Sequence, residues 1–253
     1  MKPLLSSIIC VLVLGISDSA RAQSEITLIA PGGIRAAIEQ LIPGFESKTG
    51  RKVKATFGSG GGTRQQVARG EAFDVPIVQP PYPEVIASGN VVVSSATPLA
   101  SIAIGVAVKK GAAKPDLSTP EAVKRTLLAA KSVSYPDGAR GAAAGVSFNE
   151  TLKKMGIAEQ MQPKIRLAQG GAAAMAMVAK GEAEIGLTFL SEMEDSGIDV
   201  VGPLPREIST PTSLVGFVSS HAKDPAAAKA LLEYLSSPGA AAAYQAHRMQ
   251  PGH

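Results

Sequence analysis

The spacing of apolar positions along this chain alternates between two periods, and most of the changes fall at a loop of small residues. "EITLIA" (25–30) is a β-branched run that predicts a strand. After "PGG", Ile34, Ile38, Leu41, Ile42 and Phe45 recur at helical spacing, and Pro43 is expected to kink or shorten that helix. "SKTGRKVKATF" reads as a loop and a second strand. "GSGGG" follows, then a short helix over "TRQQVARG" and a third strand at "FDVPIV". "VVVSSATPLASIAIGVAVKKG" is strand material expected to cross the middle of the fold. In "STPEAVKRTLLAA", Thr119 is a helix N-cap with Pro120 at the first helical position and Glu121 in the first turn. "KSVSYP" predicts a strand, "DGARGAAAG" a loop, and "VSFNETLKKMG" a helix with Phe148, Leu152 and Met155 on one face and Gly156 closing it. "PKIRLA", "AAAMAMVAKG" and "EAEIGLTFL" repeat the strand, helix, strand sequence after "QGG". "STPTSLVGFVSS" is a late strand. Asp224 with Pro225 starts a terminal helix, and Ser237-Pro238 starts another.

Strand and helix alternate for most of the length, which predicts an α/β fold with mostly parallel sheets and helices on both faces. No tandem repeat and no Pro- or Ser-rich linker divides the chain, so two lobes would have to be joined by strands.

Four times a strand runs into a small-residue loop that opens a helix: "APGGI" (30–34), "GSGGGT" (58–63), "DGARGAAAG" (137–145) and "AQGGAAA" (168–174). In an open α/β sheet, ligands bind beyond the carboxyl ends of the strands. Helix N-termini point there, each with unpaired N–H donors and about half a positive charge. Glycine lets an oxygen reach those amides without meeting a Cβ. Several such termini around one crevice would trap an anion without a formal cation; the alternative is four tight turns with no ligand. A P-loop is excluded, because it needs Gly-Lys-Ser/Thr at the helix start and this chain has Gly62-Thr63-Arg64. A flexible linker is excluded because a strand and a helix flank the glycines directly.

Composition narrows the setting. The 253 residues begin with Lys2, an apolar run at Ile8–Ile16 and Ala20-Arg21-Ala22, the pattern of a signal peptide (1–22) cleaved after Ala22 for export to the periplasm. The run is too short to span a membrane. The sole cysteine, Cys10, lies inside it, so the mature chain has no disulfide and no cysteine-based metal site. The formal charge of +4 loses Lys2, Arg21 and Asp18 with the leader, leaving +3. With that mild balance, ten aromatics and no Trp, nucleic acid is not an expected partner. His221, His247 and His253 fall in the last 33 residues, in no metal-ligand spacing, and no nucleophile motif appears, so neither metal nor cofactor is expected.

At "ITLIAPGG…IPGFESKTGRKVKATFGSGGGTRQQVARGEAFDVPI" the chain resembles the periplasmic molybdate-binding proteins of ABC importers, which are type II solute-binding proteins. "LKKMGIAEQMQPKIRLAQGGAAAMAMVAKGEAEIGLTFLSE" is similar to their second-lobe pattern, and "DPAAAKALLEYLSSPGAAAAYQAHRMQP" to their C-terminal helices. The resemblance implies two α/β lobes, residues 23–100 with 205–253 and residues 101–204, closing on a ligand. It also implies a monomeric receptor that captures a small anion for a membrane permease. Aconitate isomerases share the scaffold, so the resemblance leaves an enzyme acting on a tricarboxylate as the alternative.

The departures from that family pattern bear on the ligand. Where the family has a serine in its first loop, this chain has Ala30-Pro31-Gly32-Gly33-Ile34; Ser59 matches the serine of the second loop. A Pro-Ala-Gly motif is replaced by Ala139-Arg140-Gly141-Ala142, and a tyrosine by Phe189. Hydroxyls are lost and a guanidinium is gained, which favours a larger organic anion, a di- or tricarboxylate, over molybdate. The expected ligand contacts are Gly32, Gly33, Ser59, Gly60, Gly61, Thr63, Arg140, Gly141, Gln169, Gly170 and Gly171. Ser59 and Thr63 could instead be helix caps, Arg140 a solvated loop residue and Gln169 a surface amide. Tyr135 could reach the cleft or stay in the core. Asp74 could take a ligand proton or cap local backbone. Met175 and Met177 are expected to pack.

Overall fold

The computed structural model describes residues 25–252; the expected leader and its cleavage point lie outside them. The strands are β1 (Ile26–Pro31), β2 (Val53–Gly58), β3 (Val75–Val78), β4 (Val91–Ile102), β5 (Ile104–Lys109), β6 (Val133–Pro136), β7 (Ile165–Ala168), β8 (Ile185–Phe189), β9 (Ile198–Pro203), β10 (Thr212–Ser219) and β11 (Gln250–Pro251). The helices are α1 (Arg35–Thr49), α2 (Gly60–Ala68), α3 (Pro83–Ala87), α4 (Pro120–Ala129), α5 (Ala143–Lys154), α6 (Ala158–Met161), α7 (Gly171–Lys180), α8 (Pro225–Leu235) and α9 (Pro238–Ala246).

Two sheets form, ordered β11-β4-β10-β3-β1-β2 and β7-β6-β8-β5-β9. The chain passes from the first to the second between β4 and β5, and returns between β9 and β10. The apolar core runs through the first crossing at Ile102 and Ile104 and through Leu204 at the second. Every residue of β3, β6 and β8 is buried, which requires cover on both faces of the sheet; α5 and α7 supply part of it on the second sheet.

The sheets are mixed, not mostly parallel. β1–β2, β1–β3, β6–β7 and β6–β8 run parallel, whereas β3–β10, β4–β10, β4–β11, β5–β8 and β5–β9 run antiparallel. Helix crossovers force parallel pairing within each sheet. The long crossing strands enter as direct returns, and so run the other way.

Local reasons for the elements are plain. Thr119 and Asp224 accept from the amides of Ala122 and Ala227, with Pro120 and Pro225 at the first helical positions. α1 buries Ala37, Ile38, Leu41 and Phe45 and ends where Gly50 adopts φ +71°. Pro43 does not end it: the residue lies on the exposed face, where water can take the freed carbonyl. Asp74 ties β1 to the chain after β10. It accepts from the Thr27 amide (2.8 Å), the Thr27 hydroxyl (2.7 Å) and the Lys223 amide (2.8 Å), so it serves backbone donors and no ligand. Tyr135 is buried, its ring edge-on to Phe148 at 4.9 Å and its hydroxyl donating to Asn149 Oδ1, and it stays in the core. Met175 is buried, with Met177 packed against its cluster.

Candidate functional site

Parallel register brings the small-residue loops together in pairs. Pro31 is paired with Gly58, so the loops after β1 and β2 leave the first sheet at one level. Pro136 is paired with Ala168, which does the same for the loops after β6 and β7. The two pairs then face each other. The Gly61 amide donates to the Gly141 carbonyl across the gap (3.1 Å), and Ser191 Oγ donates to the Gly33 carbonyl (2.7 Å). All four loops line one cavity of about 470 Å³, which adjoins a larger one of about 770 Å³.

The electrostatics of the cavity come mainly from backbone. The 3-10 turn Gly32–Ile34 that leads into α1 and the first turns of α5 and α7 have no side-chain cap, so leading amides are left there for solvent or a guest. Ser59 caps only α2, accepting from the Gly62 amide at 3.1 Å. Two glycines are required by close approach. A Cβ on Gly171 would overlap Glu192 Oε2 and stand 2.5 Å from Thr188 Oγ1, and one on Gly60 would overlap Gln79 Oε1. Gly170 opens α7 at φ +104°, a region that favours glycine.

The sequence-derived contacts divide into three groups. Gly32, Gly33, Ser59, Gly60, Arg140, Gln169, Gly170 and Gly171 line the smaller cavity. Gly61 and Gly141 line the larger one, where their mutual hydrogen bond joins the two halves. Thr63 lines neither: it is fully buried, and its hydroxyl finds no partner in the protein. The reason is helical phase. The Thr63 amide bonds back to the Ser59 carbonyl, so the residue lies one turn into α2, on its buried side.

Four further residues at the smaller cavity escaped the sequence reading. Arg35, the first residue of α1, lies over the Phe57 ring at 4.7 Å and lines the cavity together with Arg140. Asp137 accepts from the Ala139 amide at 2.9 Å and shapes the loop that carries Arg140. Glu192 accepts from the Thr188 hydroxyl, and burial pushes its carboxyl above the usual range against the opposing pull of Thr188 and the Phe189 amide. Gln79 is fully buried, and neither its Oε1 nor its Nε2 finds a partner in the protein. Of these, Asp137 lay inside a recognised loop and Arg35 directly after another. Glu192 and Gln79 follow ordinary apolar strands, and nothing in their local pattern marks them.

A buried amide with no partner is costly unless something occupies the cavity beside it. Replacing Gln79→Leu should therefore leave the melting temperature of the empty protein unchanged or higher, while weakening anion binding by about tenfold, the worth of one hydrogen bond to a charged group. Calorimetric titration beside a thermal melt reads both; unchanged affinity would place Gln79 outside the site.

Among the described residues, no cluster of three or more His, Cys, Asp or Glu could hold a metal ion, and no helix is long and apolar enough to cross a membrane.

Two sheets joined by crossing strands, with uncapped helix starts and cationic side chains around a shared cavity, define a two-lobed α/β protein built around a cleft. The match over residues 26–250 identifies the family: the chain belongs to the bacterial extracellular solute-binding proteins. It is 35% identical over 241 residues to an aconitate isomerase of a Pseudomonas species, covering 92% of this chain and 90% of that one. It is 28% identical over 249 residues to the molybdate-binding protein ModA of Azotobacter vinelandii, covering 96% of each. The solved Azotobacter vinelandii periplasmic molybdate-binding protein superposes with a TM-score of 0.72 at 20% identity, covering 88% of this chain and 98% of that one, which establishes the two-lobed fold.

Proposed function

We propose that this protein captures a small organic polycarboxylate in the periplasm, between lobes formed by residues 23–100 with 205–253 and by residues 101–204. It then presents that anion to an inner-membrane ABC permease. The chain would act as a monomer after cleavage behind Ala22. The observation that carries this reading is the pairing of uncapped helix starts with two arginines, Arg35 and Arg140, in the lining of a cavity of about 470 Å³. At ~30 Å³ per oxygen-sized group, a four-oxygen ion needs only roughly 120 Å³. The remaining room suits a carbon skeleton, and guanidinium forks suit carboxylates at its ends.

A second reading is favoured by Glu192. A carboxyl with a raised proton affinity inside an anion site is the group that a proton shift within a tricarboxylate would use. The 35% identical aconitate isomerase points the same way.

A thermal-shift panel of citrate, tricarballylate, cis- and trans-aconitate, molybdate, sulfate and phosphate tests the first reading. A polycarboxylate at a hundred times its Kd should stabilise by about 2.7 kcal/mol, or roughly 5–10 °C for a chain of this size. Stabilisation by molybdate alone would defeat the carboxylate assignment. A change in ultraviolet absorbance on mixing with trans-aconitate would move the protein to the second reading.

A further inference from the structure

Glu192 stands where an incoming anion would meet it, and its position is held from both sides. It ends the 3-10 turn Leu190–Glu192 directly after β8. Within that turn Ser191 is pinned to the Gly33 carbonyl of the first sheet. Arg248 donates to the carbonyls of Leu190 (3.4 Å) and Met193 (2.9 Å), which bracket the glutamate. The carboxyl abuts the first residue of α7, where the missing Cβ of Gly171 leaves it room, and it faces the cavity beside Gly32.

The charged side chains around it do not neutralise it; the start of α7, which it abuts, favours its ionised form in the empty cleft, and a bound anion competes for that same field. Arg35 and Arg140 share the cavity wall, but Arg35 is 3.8 Å from Glu39 and Arg140 is 3.9 Å from Asp137. Asp137, on the facing loop, adds further negative charge. Glu194, beyond the turn, lies 3.7 Å from His247, and the Arg248 guanidinium is engaged by carbonyls. The Thr188 hydroxyl and the Phe189 amide, both neutral, are the groups that hold Glu192. An ionised carboxylate here would meet a bound carboxylate as a like charge within a few ångströms, an arrangement that forces one of the pair to keep a proton. Gln79 supplies an independent sign that a guest belongs in this space: it lines the same cavity, fully buried, with both amide atoms unpartnered.

We propose that Glu192 carries a proton while the cleft is filled and donates it in a hydrogen bond to an oxygen of the bound anion, with the Gln79 amide completing the contact set from the other sheet. The proposal rests on the anion-capture reading and adds to it that binding is proton-coupled. It also makes the cleft selective for a fully ionised guest with an acceptor oxygen at this point, since a protonated guest would set donor against donor.

The sign follows from linkage. The filled cleft raises the proton affinity of Glu192 above its value in the empty cleft. Binding is therefore strongest below the empty-state pKa, and is lost as pH rises from there toward the filled-state pKa. The probe is trans-aconitate, with molybdate as a second probe, titrated calorimetrically from pH 5 to 9.5 in two buffers of different ionisation heat. The wild-type affinity should fall toward tenfold per pH unit between the empty-state and filled-state pKa, with proton uptake approaching one per ligand there. The variant Glu192→Gln, which keeps a donor in the same place, should bind within a few-fold of wild type at pH 6.5 and show a flat profile with no uptake. Matching profiles for wild type and variant would overturn the proposal. A ligand-free check separates its failure from failure of the capture reading. The carboxyl carbon resonance of Glu192, assigned by its loss in the variant, should titrate above the ordinary glutamate value of about 4.3. Titration at or below that value would overturn the proposal whatever binds, while absence of binding by either probe together with a raised titration would defeat only the choice of ligand.

Discussion

The double variant Arg35→Ala/Arg140→Ala should weaken polycarboxylate binding by about 3–6 kcal/mol, a loss of roughly 10²–10⁴-fold. Each guanidinium bound to a carboxylate is worth about 1.5–3 kcal/mol. The two come from different sheets, α1 in one and the loop after β6 in the other, so their effects should add approximately. Arg140 supports the smaller share, because its side chain is 68% exposed and solvent screens it until the cleft closes. The empty protein should lose little stability: the Arg35 contact with Phe57 is an exposed cation–π pair worth about 0.5–1 kcal/mol. Calorimetric titration of the two single variants and the double variant settles the matter. If the double variant binds as tightly as wild type, the anion is held by backbone amides alone, and the reason for preferring carboxylates disappears.

Among the glycines of the described residues, Gly145→Ala should be the most damaging substitution. Gly145 lies in the first turn of α5, and a Cβ there would overlap the Pro136 carbonyl oxygen and stand 2.6 Å from the Gly138 nitrogen and 2.9 Å from the Pro136 carbonyl carbon. All three are backbone atoms, so no side chain can rotate away. The helix must lift off the end of β6 or the loop 137–142 must move. Overpacking of this kind costs about 3 kcal/mol, or roughly 6–12 °C in melting temperature. Because that loop carries Arg140, anion affinity should fall as well. Gly239→Ala is the control: a Cβ there meets nothing nearer than Ser237 Oγ at 3.7 Å, and the position lies in helix α9. A Gly145→Ala protein melting within two degrees of wild type would show that α5 is not seated against the strand end as described.

Much of the cleft was legible before the fold was known, for a reason that can be stated residue by residue. Gly32, Gly60 and Gly171 lie at strand-to-helix junctions, and a run of small residues between two periodic segments is a local signal. Parallel register then brings such junctions to one level in each sheet, as Pro31 with Gly58 and Pro136 with Ala168 show. Arg140 was visible because it interrupts a loop of glycines and alanines. Thr63 misled for the opposite reason: it adjoins the same glycines in sequence, yet helical phase turns it into the interior. Gln79 and Glu192 could not be found this way. Gln79 is a lone polar residue after an apolar strand whose meaning lies in its unpartnered amide, whereas Glu192 stands among other polar residues and is marked only by its burial at the cavity.

The order of residues by itself determined the alternation of strands and helices, the caps that start α4 and α8, and the four glycine-bearing junctions, since each depends on neighbours within a turn or two. Strand direction at the crossings, the meeting of two loop pairs across one cavity, and the seclusion of an acid and an amide inside it were decided only by the tertiary structure. Those features join residues as far apart as Gly33 and Ser191, and burial, not local pattern, gives Glu192 its raised proton affinity and leaves Gln79 without a partner.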